Sequence, residues 1–77
     1  METLRAYMNG LTVDQQADFA RRCRTSVGYL RKVISAKTKL GESLCIAIDR
    51  ESGGVVRVED LRPDVDWAYL KKRRNAA

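Results

Sequence analysis

Residues 12–36 read TVDQQADFARRCRTSVGYLRKVISA, and this segment determines the fold that the sequence predicts. Thr12 followed three residues later by Gln15 has the spacing of a capping box, which opens a helix that we expect to run to about Cys23. The pair Thr25-Ser26 then offers a fresh N-cap, and the apolar residues behind it keep helical spacing to the end of the segment. The segment therefore predicts two helices joined by a very tight turn.

The apolar residues of this segment fit a helix-turn-helix motif, in which the second helix enters the major groove of DNA. Such a motif needs a small residue inside its first helix, where Ala20 stands, and apolar residues such as Leu30 and Val33 that lock the second. The predicted inward side of the first helix carries Val13, Gln16, Phe19, Ala20 and Cys23. Any pair of packed helices shares this apolar spacing, so the spacing alone does not identify a helix-turn-helix motif.

The second observation is the distribution of charge. The chain has a net charge of +5, but its basic and acidic residues are concentrated in separate blocks along the sequence. Residues 19–40 hold seven basic residues and no acidic one, whereas residues 41–67 hold three basic and seven acidic residues. The seven are Arg21, Arg22, Arg24, Arg31, Lys32, Lys37 and Lys39. A polyanion is the partner that such a basic segment favours, and a solvated basic face without a partner is the alternative.

The second helix of the motif has an outward face that we predict to read base edges. Leu30, Val33 and Ile34 define its buried side, so the residues opposite them and at its leading end meet the bases. The predicted base-reading residues are Ser26, Val27, Gly28, Arg31, Lys32 and Ser35. Arg31 is the leading candidate, because its planar fork matches both acceptors on the edge of a guanine. A plain solvated face is the alternative for Arg31 and Lys32.

A second group of residues lies at the edges of the helix pair, where phosphate contacts fix the register of a protein on DNA without reading its sequence. This predicted phosphate group is Gln15, Gln16, Tyr29, Lys37 and Lys39. For the two glutamines, ordinary helix surface is an equally good interpretation. Gly28 is a poor helix residue that costs up to ~1 kcal/mol relative to alanine, and a close approach of the backbone to DNA would explain it.

The remaining residues predict helical pieces around the motif. A short helix from Glu2 to Met8 stops at Asn9-Gly10, and a fourth helix from Glu42 to Ser52 is apolar almost all round. Its expected core side carries Leu44, Ala47 and Ile48, which leaves Ile46 pointing away. Residues 55–58 are predicted to be a short extended stretch and residues 59–61 a single helical turn. Val65 and Trp67 then form an apolar strap over the body of the domain.

Length and composition exclude several classes of protein. The chain of 77 residues has room for one small domain, placed at residues 1–70, before a basic and disordered tail at residues 71–77. With no histidine, no phosphate-binding glycine loop and no nucleophile beside a base, we expect neither an enzyme nor a metal or cofactor site. Cys23 and Cys45 are predicted to be reduced core residues. No run of apolar residues suits a signal peptide or a membrane span, which predicts a cytoplasmic protein.

Three segments resemble a known family: FARRCRTS at 19–26, CIAIDRESGG at 45–54 and EDLRPDVDW at 59–67. They are similar to the YdaS-like, Cro-type regulators of prophages, over most of the chain. The resemblance implies an all-α domain of four to five helices with the lambda-repressor-like (Cro/CI) helix-turn-helix fold, which binds operator DNA. In that motif the turn position held here by Arg24 is usually glycine, so the resemblance implies either a positive φ at Arg24 or a turn that differs from the usual one.

These observations predict a sequence-specific, Cro-like repressor of phage or prophage type that inserts its recognition helix into the major groove of double-stranded operator DNA. We expect a homodimer on a palindromic operator with half-sites about 34 to 36 Å apart. Residues 55–58 and Ile46 are the candidate dimer surface, with packing inside one chain as the alternative.

A different class of function remains open in the sequence. The resemblance includes relatives described as antitoxins, so the alternative is an antitoxin-type module that neutralises a partner protein through its acidic second half. A toxin or an anti-repressor is therefore a further candidate partner. An RNA-binding role is disfavoured, because exposed aromatic residues for base stacking are scarce.

Overall fold

A computed structural model describes residues 2–36 and 39–70, and in these ranges the chain is helical with no strand. The helices are α1 (Glu2–Asn9), α2 (Val13–Arg22), α3 (Val27–Ala36), α4 (Glu42–Glu51) and α5 (Val58–Leu61), and residues 67–70 add a final helical turn. The predicted all-α helix-turn-helix fold is confirmed, with α2 and α3 as its helix pair. The basic tail predicted at residues 71–77 lies outside the described residues.

The N-terminal caps of α2 and α3 are the ones that the sequence predicts. Thr12 Oγ1 accepts a hydrogen bond from the Gln15 backbone N–H at 3.1 Å, and the Thr12 N–H donates to Gln15 Oε1 at 2.9 Å. This is the complete capping box, which satisfies two of the N–H groups that a helix start leaves free. Ser26 Oγ accepts from the Tyr29 N–H at 3.1 Å, which caps α3 one residue before it begins.

The turn between α2 and α3 is a Schellman motif with arginine at the position that favours glycine. The Arg24 N–H donates to Arg21 O and the Thr25 N–H to Ala20 O, both at 2.9 Å. This closure requires a left-handed residue, and Arg24 has a φ of 60°. Of the two alternatives that the resemblance leaves open at this turn, the structure has the positive φ at Arg24.

One hydrophobic core holds the helices together, and α3 contributes its whole predicted inner side. The buried apolar residues are Leu4, Met8, Phe19, Ala20, Cys23, Leu30, Val33, Ile34, Leu40, Cys45, Ile48, Val56, Val58, Leu61 and Trp67. The prediction for Val13 was wrong, because the first turn of α2 leaves this side chain 81% exposed.

The side of α4 that faces the core differs from the predicted one. Cys45 and Ile48 are fully buried, whereas Leu44, Ile46 and Ala47 are half-buried against the core. A helix that is apolar almost all round carries no sharp periodicity, so its pattern does not fix which side faces inward. Ile46 consequently lies against the core more closely than the sequence predicts.

The extended stretch predicted at residues 55–58 is not formed, because residues 55–57 are a hydrogen-bonded loop and Val58 begins α5. The Val56 N–H donates to Ser52 Oγ at 3.0 Å and the Val58 N–H to Asp49 Oδ2 at 3.0 Å. Two side chains at the end of α4 thus take the backbone donors that a strand partner would need. Val56 and Val58 are buried in the chain's own core, and only Val55 of the apolar residues in this loop is exposed.

Arg62 fastens the C-terminal strap to the loop before α4. Its Nη1 donates to Leu40 O at 2.9 Å, while Nε and Nη2 form a two-pronged ion pair with Asp64 at 3.2 and 2.8 Å. The Trp67 indole N–H donates to Arg62 O at 2.8 Å, and Trp67 itself is buried. These contacts explain why the chain carries the sequence LRPDVDW at residues 61–67, which helix packing alone would not require.

Candidate nucleic-acid interface

The outer face of α3 is open along its length. The exposed residues on it and at its leading end are Ser26, Gly28, Tyr29, Arg31, Lys32, Ser35 and Ala36. Val27 is half-buried because its side chain packs against the core. The face that the helical wheel predicts is therefore the face that the structure exposes.

Two small residues, Ser26 and Gly28, lie at the leading end of α3, and only Ser26 has a role inside the protein. The Ser26 hydroxyl oxygen is engaged as the N-cap, which leaves its hydrogen free to donate outward. A Cβ placed on Gly28 would have only Ser26 Oγ near it, at 4.0 Å, so nothing inside the protein requires glycine at this position.

Within the described part of the chain, the cations that lack a carboxylate partner all lie in the helix-turn-helix. Among residues 2–36 and 39–70, every other lysine and arginine takes part in an ion pair. The cations without such a pair are Arg24, Arg31 and Lys32. They lie on the α2–α3 turn and on the outer face of α3, so the unpaired positive charge of the described residues is concentrated there.

The other basic residues of the motif are neutralised inside the protein, which charge counting along the sequence missed. Arg22 donates from Nε to Asp18 Oδ2 and from Nη1 to Glu51 Oε1, both at 3.0 Å, so it ties α2 to α4. Arg21 also pairs with Asp18, and this hydrogen bond is the main reason why the pKa of the Asp18 carboxyl lies below its usual range. Asp18 stands one turn before these arginines, which is the sequence signal for the pairing.

The two adjacent glutamines of α2 have opposite environments. Gln15 is exposed, and its carboxamide oxygen completes the capping box while its NH₂ group makes no hydrogen bond inside the described chain. Gln16 is only 9% exposed, and its Nε2 donates to Met8 O at 2.8 Å and to Leu11 O at 3.3 Å. The predicted phosphate role of Gln16 is therefore corrected, because both of its N–H donors are already used.

Gln16 also connects α2 to the predicted base reader. Its Oε1 accepts a hydrogen bond from Arg31 Nη2 at 3.0 Å. Arg31 is exposed on α3, yet this bond holds its guanidinium against the start of α2. Sequence reasoning does not find this contact, because it joins residues 15 positions apart through the packing of two helices.

The remaining predicted phosphate residues fall into three situations. Tyr29 is 42% exposed and lines a cleft of about 650 Å³ with Arg24 between the α2–α3 turn and α4. Lys39 is exposed and lies 3.8 Å from Asp64, which is a weak surface ion pair. Lys37 lies outside the described residues. Arg24 was not predicted as a phosphate contact, although its unpaired charge beside Tyr29 fits that role.

The cysteines are buried thiols, as predicted. Burial raises the pKa of Cys23 to about 11 and also raises that of Cys45, so both stay protonated at neutral pH. No cluster of residues suited to hold a metal ion is present in residues 2–36 and 39–70. The helices in the same ranges are too short and too polar to cross a membrane.

Two bacterial proteins are similar to this chain over most of its length. A protein of Escherichia coli (strain K12) that carries the name of a transcriptional regulator, YdaS, is 37% identical over 60 residues, covering 78% of this chain and 61% of that protein. Another protein of the same strain, named prophage transcriptional regulatory protein, is 32% identical over 62 residues, covering 80% of this chain and 94% of that protein. The chain thus spans only part of the length of YdaS. No protein-family model matches the chain, and neither does a solved structure.

Proposed function

Because this chain belongs to the family of prophage transcriptional regulators that includes YdaS, we propose that it is a sequence-specific DNA-binding repressor. Its recognition helix α3 lies in the major groove of an operator and occludes a promoter. The observation that carries this proposal is the location of the unpaired cations, since Arg24, Arg31 and Lys32 lie together on the turn and outer face of the helix pair. None of the three has a carboxylate partner among the described residues, and the one internal side-chain contact, from Arg31 to Gln16, leaves the positive charge of Arg31 in place.

Base readout is assigned to the exposed face of α3. Arg31 donates to the two acceptors of a guanine edge, and Lys32 contacts a base or a phosphate less selectively. Ser26 and Ser35 are short donors on the same face, and Val27 offers an apolar contact to a thymine methyl at the leading end. Gly28 lets the helix backbone approach the base edges closely, which gives a reason for a glycine that the fold does not need.

Phosphate contacts are assigned to the rim of this face. Arg24 and Tyr29 donate from the α2–α3 turn, and the free amide of Gln15 donates from the first turn of α2. Lys39, which is exposed after the end of α3, is a further candidate for a phosphate contact, and the prediction for Lys37 falls outside the described residues. Lys39 must leave Asp64 to make this contact, and an exposed pair of this kind opens at little cost.

A homodimer on a palindromic operator remains part of this proposal, because one small module contacts few phosphates. The candidate surface is now smaller than the sequence predicts, since Val56 and Val58 are buried within one chain. Val55 is exposed and Ile46 is half-buried, so these two are the apolar residues of the candidate surface that remain available to a second subunit.

The test is binding to a duplex that the protein itself selects from a random-sequence pool, compared with a scrambled duplex of the same composition. We expect tight binding to the selected duplex, and Arg31→Ala should lower the preference for it by about ten-fold or more. Arg5→Ala is the matched control, because Arg5 is exposed on α1 but pairs with Glu2. Failure to enrich any sequence would contradict the repressor function and favour a protein partner, as an antitoxin would have.

A further inference from the structure

We propose that Gln16 is a positioning residue for base readout, which orients the Arg31 guanidinium before DNA arrives. This inference rests on the proposed function, since it concerns how the recognition face achieves its sequence preference. Gln16 does not touch DNA in this account. Its effect on DNA binding passes through a single hydrogen bond to Arg31.

The amide of Gln16 can take only one orientation in its buried site. Both N–H groups of Nε2 donate to backbone carbonyls, of Met8 at the end of α1 and of Leu11 in the following loop. Rotating the amide by a half-turn would place Oε1 against these two carbonyl oxygens and leave the N–H groups facing the Arg31 guanidinium. Because both arrangements are repulsive, Oε1 stays directed at Arg31.

The bond to Gln16 leaves Arg31 competent to read a guanine. Arginine has five N–H donors arranged as two forks, one formed by Nη1 with Nη2 and the other by Nε with Nη2. Nη2 has one N–H in each fork, so a bond from one Nη2 hydrogen to Gln16 at 3.0 Å keeps the other fork whole. Gln16 is also uncharged, so the positive charge of Arg31 is not neutralised, as a carboxylate at this position would do.

Holding Arg31 in advance increases the sequence preference, because a free arginine loses its rotamer freedom when it orders on DNA. A guanidinium held against α2 also presents its two free N–H donors at a defined angle. It therefore forms poor hydrogen bonds with a base that lies elsewhere or is not guanine. The buried contacts of Gln16 thus connect the α1–α2 junction to the recognition helix. Lys32 lacks such a contact, and we expect it to discriminate less.

The test is a double-mutant cycle between Gln16 and Arg31, read as the ratio of affinities for the selected and scrambled duplexes. Gln16→Met keeps the size of the side chain and removes its hydrogen bonds. We expect it to lower the ratio by about ten-fold, and by less than about two-fold when Arg31 is already alanine. Gln15→Met is the matched control and should weaken binding to both duplexes equally. Additive losses from Gln16→Met and Arg31→Ala would overturn the proposal, because Gln16 would then act through the fold alone.

A second measurement uses the free protein, so that the proposal and the proposed function can fail separately. The guanidinium N–H resonances of Arg31 should be protected from exchange in wild-type protein, whereas those of Arg24, which has no hydrogen-bonded side chain, should exchange freely. Equal exchange at the two arginines would overturn the positioning role, even if DNA binds. Protected Arg31 resonances in a protein that binds no DNA would instead reject the repressor function. This comparison needs only the wild-type chain, so it stands even if Gln16→Met does not fold.

Discussion

Arg24 and Gly53 occupy the same position in two copies of one helix-ending motif. Arg24 follows α2 with a φ of 60°, and Gly53 follows α4 with a φ of 65°. The closing hydrogen bonds also match, since Thr25 N to Ala20 O and Gly54 N to Asp49 O both measure 2.9 Å. An L side chain in this region brings Cβ close to the backbone, and glycine avoids that contact. The α2–α3 turn therefore carries strain that the end of α4 does not.

Replacing the strained residue should stabilise the domain. We expect Arg24→Gly to raise the free energy of unfolding by up to about 1 kcal/mol, which is a rise in Tm of several degrees for a domain of this size. Gly53→Ala is the opposite control and should lower Tm. Because Arg24→Gly also removes an unpaired cation, binding to selected and scrambled DNA should weaken equally. A lower Tm for Arg24→Gly would show that the turn does not depend on a left-handed residue.

Gly28→Ala separates stability from function at a single position. Nothing in the chain lies closer than 4.0 Å to the added methyl, so helix propensity should raise the free energy of unfolding by up to about 1 kcal/mol. The same methyl would stand between α3 and the base edges, and we expect the affinity for the selected duplex to fall by about ten-fold. Thermal unfolding and DNA titration of one variant measure both effects. Unchanged affinity would show that the backbone at Gly28 does not approach DNA.

At the scale of elements, the sequence predicts α3 well because three independent signals agree on it. The Ser26 cap fixes its start, the apolar spacing fixes its inner side, and the charge bias points to its outer side. The core face of α4 could not be predicted in the same way, since apolar residues surround that helix. The hydrogen bond between Gln16 and Arg31 was also beyond prediction, because it depends on how two helices pack and not on a local pattern.

The strap that Arg62 and Asp64 form should make stability depend on acid. The hydrogen bonds from Arg62 lower the pKa of the Asp64 carboxyl to about 2, whereas an unfolded chain titrates it near pH 3.9. A depressed pKa stabilises the folded state above the unfolded value, and this stability is lost as the pH falls from about 4 to about 2. Asp64→Asn should therefore lower Tm at pH 7 and make a much smaller difference near pH 2, where the folded-state carboxyl is half protonated. A Tm difference that persists unchanged at pH 2 would exclude this ion pair as its source.

At the scale of the whole molecule, ion pairing decides which cations are available for DNA. Lys32 has no carboxylate partner, whereas Arg21 pairs with Asp18 within the same helix. We expect Lys32→Ala to weaken binding to both duplexes and to reduce the slope of log affinity against log salt by about one. Arg21→Ala should change either quantity much less, although it removes the same charge from the chain. Equal effects from the two variants would show that net charge and not its placement governs binding.

Nuclear magnetic resonance can test, residue by residue, whether the outer face of α3 lies in an operator. The measurement is a titration of the labelled protein with its selected duplex, followed by the backbone amide resonances. We expect the largest changes in amide chemical shift within residues 24–35, including Arg31 and Lys32. The amide shifts of α5 should change little. Large shifts confined to the acidic residues of α4 and α5, or no shifts at all, would contradict the placement of α3 in an operator.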